Sequence, residues 1–295
     1  MKKTIFYVSL ALLTMAAFSC SSNDADVTEN NSDGYAPVTV SVNDFDMSIE
    51  AFAPRRATPV ADYSGVKTIT LAFYDSNNTE VYRVDQIRSD NTTYTTFGQF
   101  SCSLYKGSYT MVVLAYGSDN PITLTSKTNA TFTNEPVRET FAYTQTVNVT
   151  STQPIALNAT LSRVVARLGL ISTDQRPADA AKLRLTFSGG GEGLNPVTGF
   201  STTNTSFSIL VEPSSAVGAT IGIARHLFLN SDEQTVNITI EVLDANNETI
   251  SQRTVNNVSL QRNRYTQLTG SLFSASSSSS FSVETSWLSQ VEFNF

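Results

Sequence analysis

From Val38 onward, apolar side chains recur at every second position. The pattern is plainest in V38-T-V40-S-V42, V66-K-T-I69-T-L71-A-F73, Y109-T-M-V-V-L-A-Y116, F207-S-I209-L-V211 and V236-N-I238-T-I240-E-V242. Successive side chains of a strand point to opposite faces, so this period describes strands with one face packed and one face wet. Helical periodicity is scarce. The stretch from Pro177 to Leu185 is the best candidate, and it is too short for more than a turn. The reading is an all-β chain. Composition agrees, because only 15% of residues are charged and Thr, Asn and Ser fill the polar positions of strands and turns.

Punctuation within the pattern is also informative. In F45-D-M47-S-I49 the alternation resumes after Asn43-Asp44. T68-I-T-L-A-F-Y-D75-S-N77-N78 and N237-I-T-I-E-V-L-D244-A-N246-N247 each run a strand into Asp-x-Asn-Asn, with another strand following. Asn and Asp accept positive φ and bond their own backbone, so both read as hairpins. A calcium reading of Asp75/Asn77 or Asp244/Asn246 is the weaker alternative. L104-Y-K-G-S-Y109-T is echoed by L260-Q-R-N-R-Y265-T. Two echoes in one order point to a duplicated unit, so two antiparallel sandwiches are expected over residues 37–157 and 158–295. L157-N-A-T-L161-S-R163-V-V-A-R167-L168 lies at the junction and reads as a strand shared between them.

The N-terminus is of another kind. Lys2-Lys3, an apolar run from Ile5 to Phe18, and Ser19 before Cys20 have the zones of a secretory signal over residues 1–19. Cysteine at the junction matches a bacterial lipoprotein signal, with acylation of Cys20 and attachment to a membrane surface. Ala17 and Phe18 depart from the usual lipobox, which keeps plain signal cleavage as the alternative. Residues 20–36 are acidic and nearly free of aliphatics, a solvated tether. No Lys or Arg occurs between Lys3 and Arg55. Arg55-Arg56-Ala57, bracketed by Pro54 and Pro59, then reads as an exposed proteolytic processing site, with a plain basic spot in an exposed loop as the alternative.

Chemistry for catalysis is thin. His226 is the sole histidine, so neither a zinc ligand set nor a triad of ordinary form is expected. S188-G-G-G-E-G lacks the Lys-Ser/Thr of a phosphate loop. Cys102, alternating with Phe100 and Leu104, reads as a small core residue. A net charge of −7 argues against a nucleic-acid surface. No enzymatic activity, cofactor or metal is expected.

These features together resemble a known family. The lipoprotein-type start, the L161-S-R163-V-V-A-R167-L-G-L strand motif, the near-terminal L260-Q-R-N-R-Y265-T-Q-L-T-G270-S-L-F and the Ser-rich spacer before a last strand are similar to fimbrillin-type subunits of type V pili. The resemblance implies two transthyretin-like sandwiches, a surface pilus supporting adhesion, and other pilus subunits as partners. It also implies a trypsin-like protease that cuts after an arginine following the first strand in shaft subunits, whereas anchor subunits skip the cut and keep the lipid. On that pattern Val38, Val40, Val42, Phe45, Met47 and Ile49 would form a removable edge strand. Val291, Phe293 and Phe295 would be the candidate strand donated to a neighbour. The rival from another class is a surface glycan-binding lipoprotein, for which Trp287 and the eleven tyrosines leave room.

Overall fold

The computed structural model describes residues 34–47, 57–274 and 281–287. Its elements are strands apart from one 3-10 turn at Val60–Asp62. The first group comprises β1 (Tyr35–Asp46), β2 (Ala57–Pro59), β3 (Thr68–Tyr74), β4 (Glu80–Ile87), β5 (Gln99–Tyr105), β6 (Gly107–Tyr116), β7 (Thr123–Ser126), β8 (Asn129–Thr131), β9 (Thr140–Val149) and β10 (Ile155–Arg163). The second comprises β11 (Val165–Ser172), β12 (Lys182–Phe187), β13 (Gly193–Asn195), β14 (Phe200–Ser201), β15 (Phe207–Val211), β16 (Gly222–Phe228), β17 (Glu233–Leu243), β18 (Thr249–Gln261), β19 (Arg264–Gly270) and β20 (Ser282–Trp287).

Each period-two run found in the sequence is a strand, and the two Asp-Asn turns are hairpins of one design. Asp75 accepts the amides of Asn77 and Thr79 at 2.8 Å, and Asp244 accepts those of Asn246 and Glu248 at 2.8 Å. Asn78 and Asn247 take the positive φ that closes each turn, 63° and 67°. Both carboxylates are thus engaged by backbone, which favours the turn reading over the calcium one.

In the first group one sheet runs β2-β1-β10-β9-β6-β3-β4, with β5 also on β1. Its core joins apolar side chains of β3, β6 and β9 to those of β1, β5 and β10. In the second group β16-β11-β19-β20 faces β15-β12-β17-β18 across a separate core. A third apolar cluster lies between the groups, where Tyr74, Leu114 and Tyr116 meet Val165, Leu194 and Phe228. This explains why every residue of β3 is buried: one face serves the first core and the other serves the junction.

The junction strand differs from expectation. Residues 157–168 form two strands, not one, and residues 157–158 fall inside β10. The chain crosses at Val164, whose amide bonds Thr140. β10 belongs to the first sheet by its pairing with β1 and β9, and β11 to the second by its pairing with β16 and β19. Nearly continuous hydrophobicity here reports a change of partner sheet at the buried seam.

Candidate functional site

β1 is the centre of the candidate site. Ala36, Val38, Val40, Val42 and Phe45 are at most 2% exposed, and Met47 is 6% exposed. At Asn43-Asp44, where the sequence interrupts its alternation, the register against β10 shifts between Val42 and Asp44, which turns Phe45 and Met47 onto the face the valines use. β10 runs parallel along one flank, from Val38 beside Ile155 to Asp46 beside Ser162. β5 runs antiparallel along the other, from Tyr35 beside Tyr105 to Ser41 beside Gln99, and β2 continues that flank from Asp44 to Asp46.

The expected edge strand is therefore corrected: β1 is an interior strand bonded on both flanks. Alternation reports that one face is buried, and an interior strand of a half-solvated sheet alternates in the same way. Of the other sequence-predicted positions, Ala57 is the exposed first residue of β2, opposite Asp46. Cys20, Ile49, Arg55, Arg56, Val291, Phe293 and Phe295 lie outside the described residues. The alternating stretch near the C-terminus pairs with its own chain: β20 lies on β19 at the edge of the second sandwich, with Val283 beside Leu268.

The end of β1 meets a polar cluster that sequence reading did not single out. Arg163, 3% exposed at the end of β10, pairs with Glu139 at 2.7 Å. Tyr63 donates to Glu139 at 2.6 Å, and Arg163 donates to Asn263 at 2.5 Å. Asn263 occupies the β18–β19 turn at φ 61° and donates to the Met47 carbonyl at 3.3 Å. The Arg163 guanidinium also lies 5.1 Å from the Phe141 ring centroid. Burial, then the adjacent Glu139 charge, pushes the Tyr63 hydroxyl well above the ordinary phenol range, so it stays a donor. One ion pair thus ties the first sandwich, the end of β1 and the last hairpin of the second sandwich together. Arg163 and Asn263 both sit in the quoted sequence motifs, but nothing in a one-dimensional pattern says that they touch.

A second polar anchor holds the chain just before the Ser-rich spacer. Asp174 accepts the amides of Leu272, Phe273 and Ser274 at 2.9, 2.8 and 2.8 Å, and the hydroxyls of Ser271 and Ser274 at 2.5 and 2.9 Å. Burial acts to raise this carboxyl. The bonds from Ser271, Leu272, Ser274 and Phe273 outweigh it and hold the group well below the usual carboxylate range. A lowered folded value means the carboxylate stabilises the fold above the unfolded value, near pH 4, and loses that contribution as pH falls through the folded value. Asp174→Asn should cost on the order of 1–2 kcal/mol at pH 7, at the low end because the site is partly open to water. In urea titrations the gap between wild type and variant should narrow steadily below about pH 4. A gap independent of pH would contradict this account.

Other single residues take ordinary places. Cys102 packs half-buried against the first core, and burial pushes its thiol up to about 11. Gly169 lies under Tyr265; a Cβ there would collide with the ring and its hydroxyl. Among the described residues no three of His, Cys, Asp and Glu are grouped to hold a metal. No described helix is long and apolar enough to cross a membrane.

Comparison with known proteins adds the following. The structure is similar to the fimbrial anchor protein Mfa2 from Porphyromonas gingivalis, with a TM-score of 0.49 and 12% identity over 86% of this chain and 98% of that one. It is similar to the tip fimbrial protein Mfa3 with C-terminal truncation from the same organism, at 0.38 and 14% over 86% and 100%. A candidate adhesin from Bacteroides thetaiotaomicron gives 0.48 and 11% over 87% and 98%. No curated protein sequence matches the chain. One family model spans residues 36–292, from the second residue of β1 to beyond β20. The chain therefore belongs to the family of unknown function DUF6562.

Proposed function

We propose that this chain is a structural, non-enzymatic subunit of a cell-surface pilus, in the role that keeps its N-terminal strand and stays attached to the membrane. The sequence resemblance supplies the class of protein. The single observation that favours the attached role is the bonding of β1 on both flanks, with five buried apolar side chains along it. A cut after Arg55 or Arg56 would sever the chain without freeing that strand. Each of the larger apolar side chains returned to water costs about 1.5–3 kcal/mol, and two ladders of hydrogen bonds would be lost as well. An acylated Cys20 followed by the acidic tether would then hold the sandwiches off the outer membrane, with other pilus subunits as partners. Cleavage by a trypsin-like protease at Arg55 or Arg56 would, in this reading, not discharge the strand.

Limited trypsin treatment of the full-length chain tests it. Because no Lys or Arg lies between Lys3 and Arg55, trypsin leaves β1 on one fragment. That fragment should co-elute with the sandwiches in size-exclusion chromatography and separate only in denaturant. Release under native conditions, followed by filaments in electron microscopy, would identify a shaft subunit and overturn the attached role.

A further inference from the structure

Away from β1, a cleft of about 370 Å³ opens between the Val137–Glu139 segment and β16, an edge strand of its sheet. It shares Pro136, Val137, Arg225 and His226 with an adjoining recess of about 320 Å³. Both volumes are in the range of small-ligand sites. Three guanidinium groups line the larger one: Arg138, Arg167 and Arg225. Arg138 pairs with Glu135 at 3.2 Å, and Arg167 lies 5.6 Å from the Tyr265 ring centroid.

Arg225 is different. It is half-buried, and its hydrogen bond is to the carbonyl of its own neighbour Ala224, at 2.8 Å. Among the described residues no carboxylate comes within ion-pair distance of it; the Glu192 charge acts on it only from farther off, across the adjoining recess. Guanidinium stays charged in proteins and offers five donors. Holding it half-buried without an ion pair, near a second cation, costs folding free energy. A ligand that supplies the missing anion would recover that cost.

The walls also say which anion. Glu212 lines the same cleft and Glu192 the adjoining recess, and they would repel a multiply charged phosphate. A ligand with a single planar carboxylate and several hydroxyls can use both signs of charge. The carboxylate matches the guanidinium fork, and the hydroxyls donate to glutamate oxygens. His226 fits the same part. Burial and the guanidinium groups of Arg167, Arg163, Arg138 and Arg225 push it down to about 3, so it offers a neutral imidazole with one donor and one acceptor. We propose that this cleft binds an acidic sugar, a uronic or sialic acid residue, with Arg225 receiving the carboxylate and Arg138 at its side.

The test is calorimetric titration of the full-length chain in detergent with sodium D-galacturonate and with N-acetylneuraminate, against D-galactose, inorganic phosphate and tetraglutamate. At least one acidic sugar should saturate the protein, and D-galactose and phosphate should bind at least about tenfold more weakly. Losing a charge-assisted bond is worth about tenfold or more, so Arg225→Gln should weaken acidic-sugar binding by that factor. Arg138→Gln, on an exposed pair, should weaken it by a smaller factor and decides the matter should Arg225→Gln fail to fold. Arg184→Gln, in the separate pair with Glu241, should leave it unchanged. Galactose binding as tightly as galacturonate would overturn the assignment. So would tighter binding of phosphate or tetraglutamate, affinity untouched by both cleft variants, or no saturable binding at all.

Discussion

Replacing Arg163 by alanine should lower stability by about 3–5 kcal/mol, the usual effect of removing one partner of a buried ion pair. Both side chains are almost wholly out of water, at 0% and 9% exposure, so Glu139 would be left as a buried charge beside the Tyr63 hydroxyl. Asn263 would lose the donor that holds its turn against the first sandwich, and Phe141 would lose the cation over its ring. The loss should exceed that of Tyr63→Phe, which removes a single hydrogen bond to a charged group, about 1.5–3 kcal/mol. Removing both charges together, as Arg163→Met with Glu139→Gln, should recover much of the loss, because the attraction of such a pair barely repays its desolvation. Urea unfolding of the three variants measures this directly. A cost below about 1 kcal/mol for Arg163→Ala, the size of an exposed pair, would show that the pair does not bind the two sandwiches together.

A chain lacking residues 33–56 should not fold at all. Val38, Val40, Val42, Phe45 and Met47 each contribute roughly 1.5–3 kcal/mol of burial, and their sum rivals the whole stability of an ordinary domain, about 5–15 kcal/mol. The deletion also strips the ladder from one side of β5 and β10, and leaves the inner faces of Leu71, Met111 and Phe141 without cover. Circular dichroism should show no cooperative melting transition. Supplying a synthetic peptide of residues 33–56 should restore one, because the groove it fills is walled on both sides and fits an extended strand of this pattern. A well-folded deletion variant would mean that β1 is dispensable, and that the nicked protein could shed it after all. The two outcomes bear on the proposed attached role in opposite directions.

Much of the fold was legible before any coordinates. Strand identity, the Asp75 and Asp244 hairpins and the interruption at Asn43-Asp44 are local facts, written in side-chain order and turn chemistry over a few residues. Neighbour identity was not legible. Val38–Val42 announces a buried face but cannot say that β10 lies along one flank and β5 along the other, because those partners are remote in sequence and bond through backbone groups that every residue carries. That is why a strand read as peripheral is interior. The Arg163 cluster was hidden for a related reason: it draws one residue from each of several distant segments, and no spacing rule links positions 63, 139, 163 and 263.

Read alone, then, the order of residues established an all-β chain, its turns and the absence of a phosphate loop or a second histidine. The tertiary structure decided which strand lies beside which, where the chain changes sheets, and that an unpaired guanidinium faces a cleft. The division follows from range. Propensity and periodicity act between near neighbours, whereas sheet order and charge pairing are settled only when the whole chain competes for burial and hydrogen-bond partners at once.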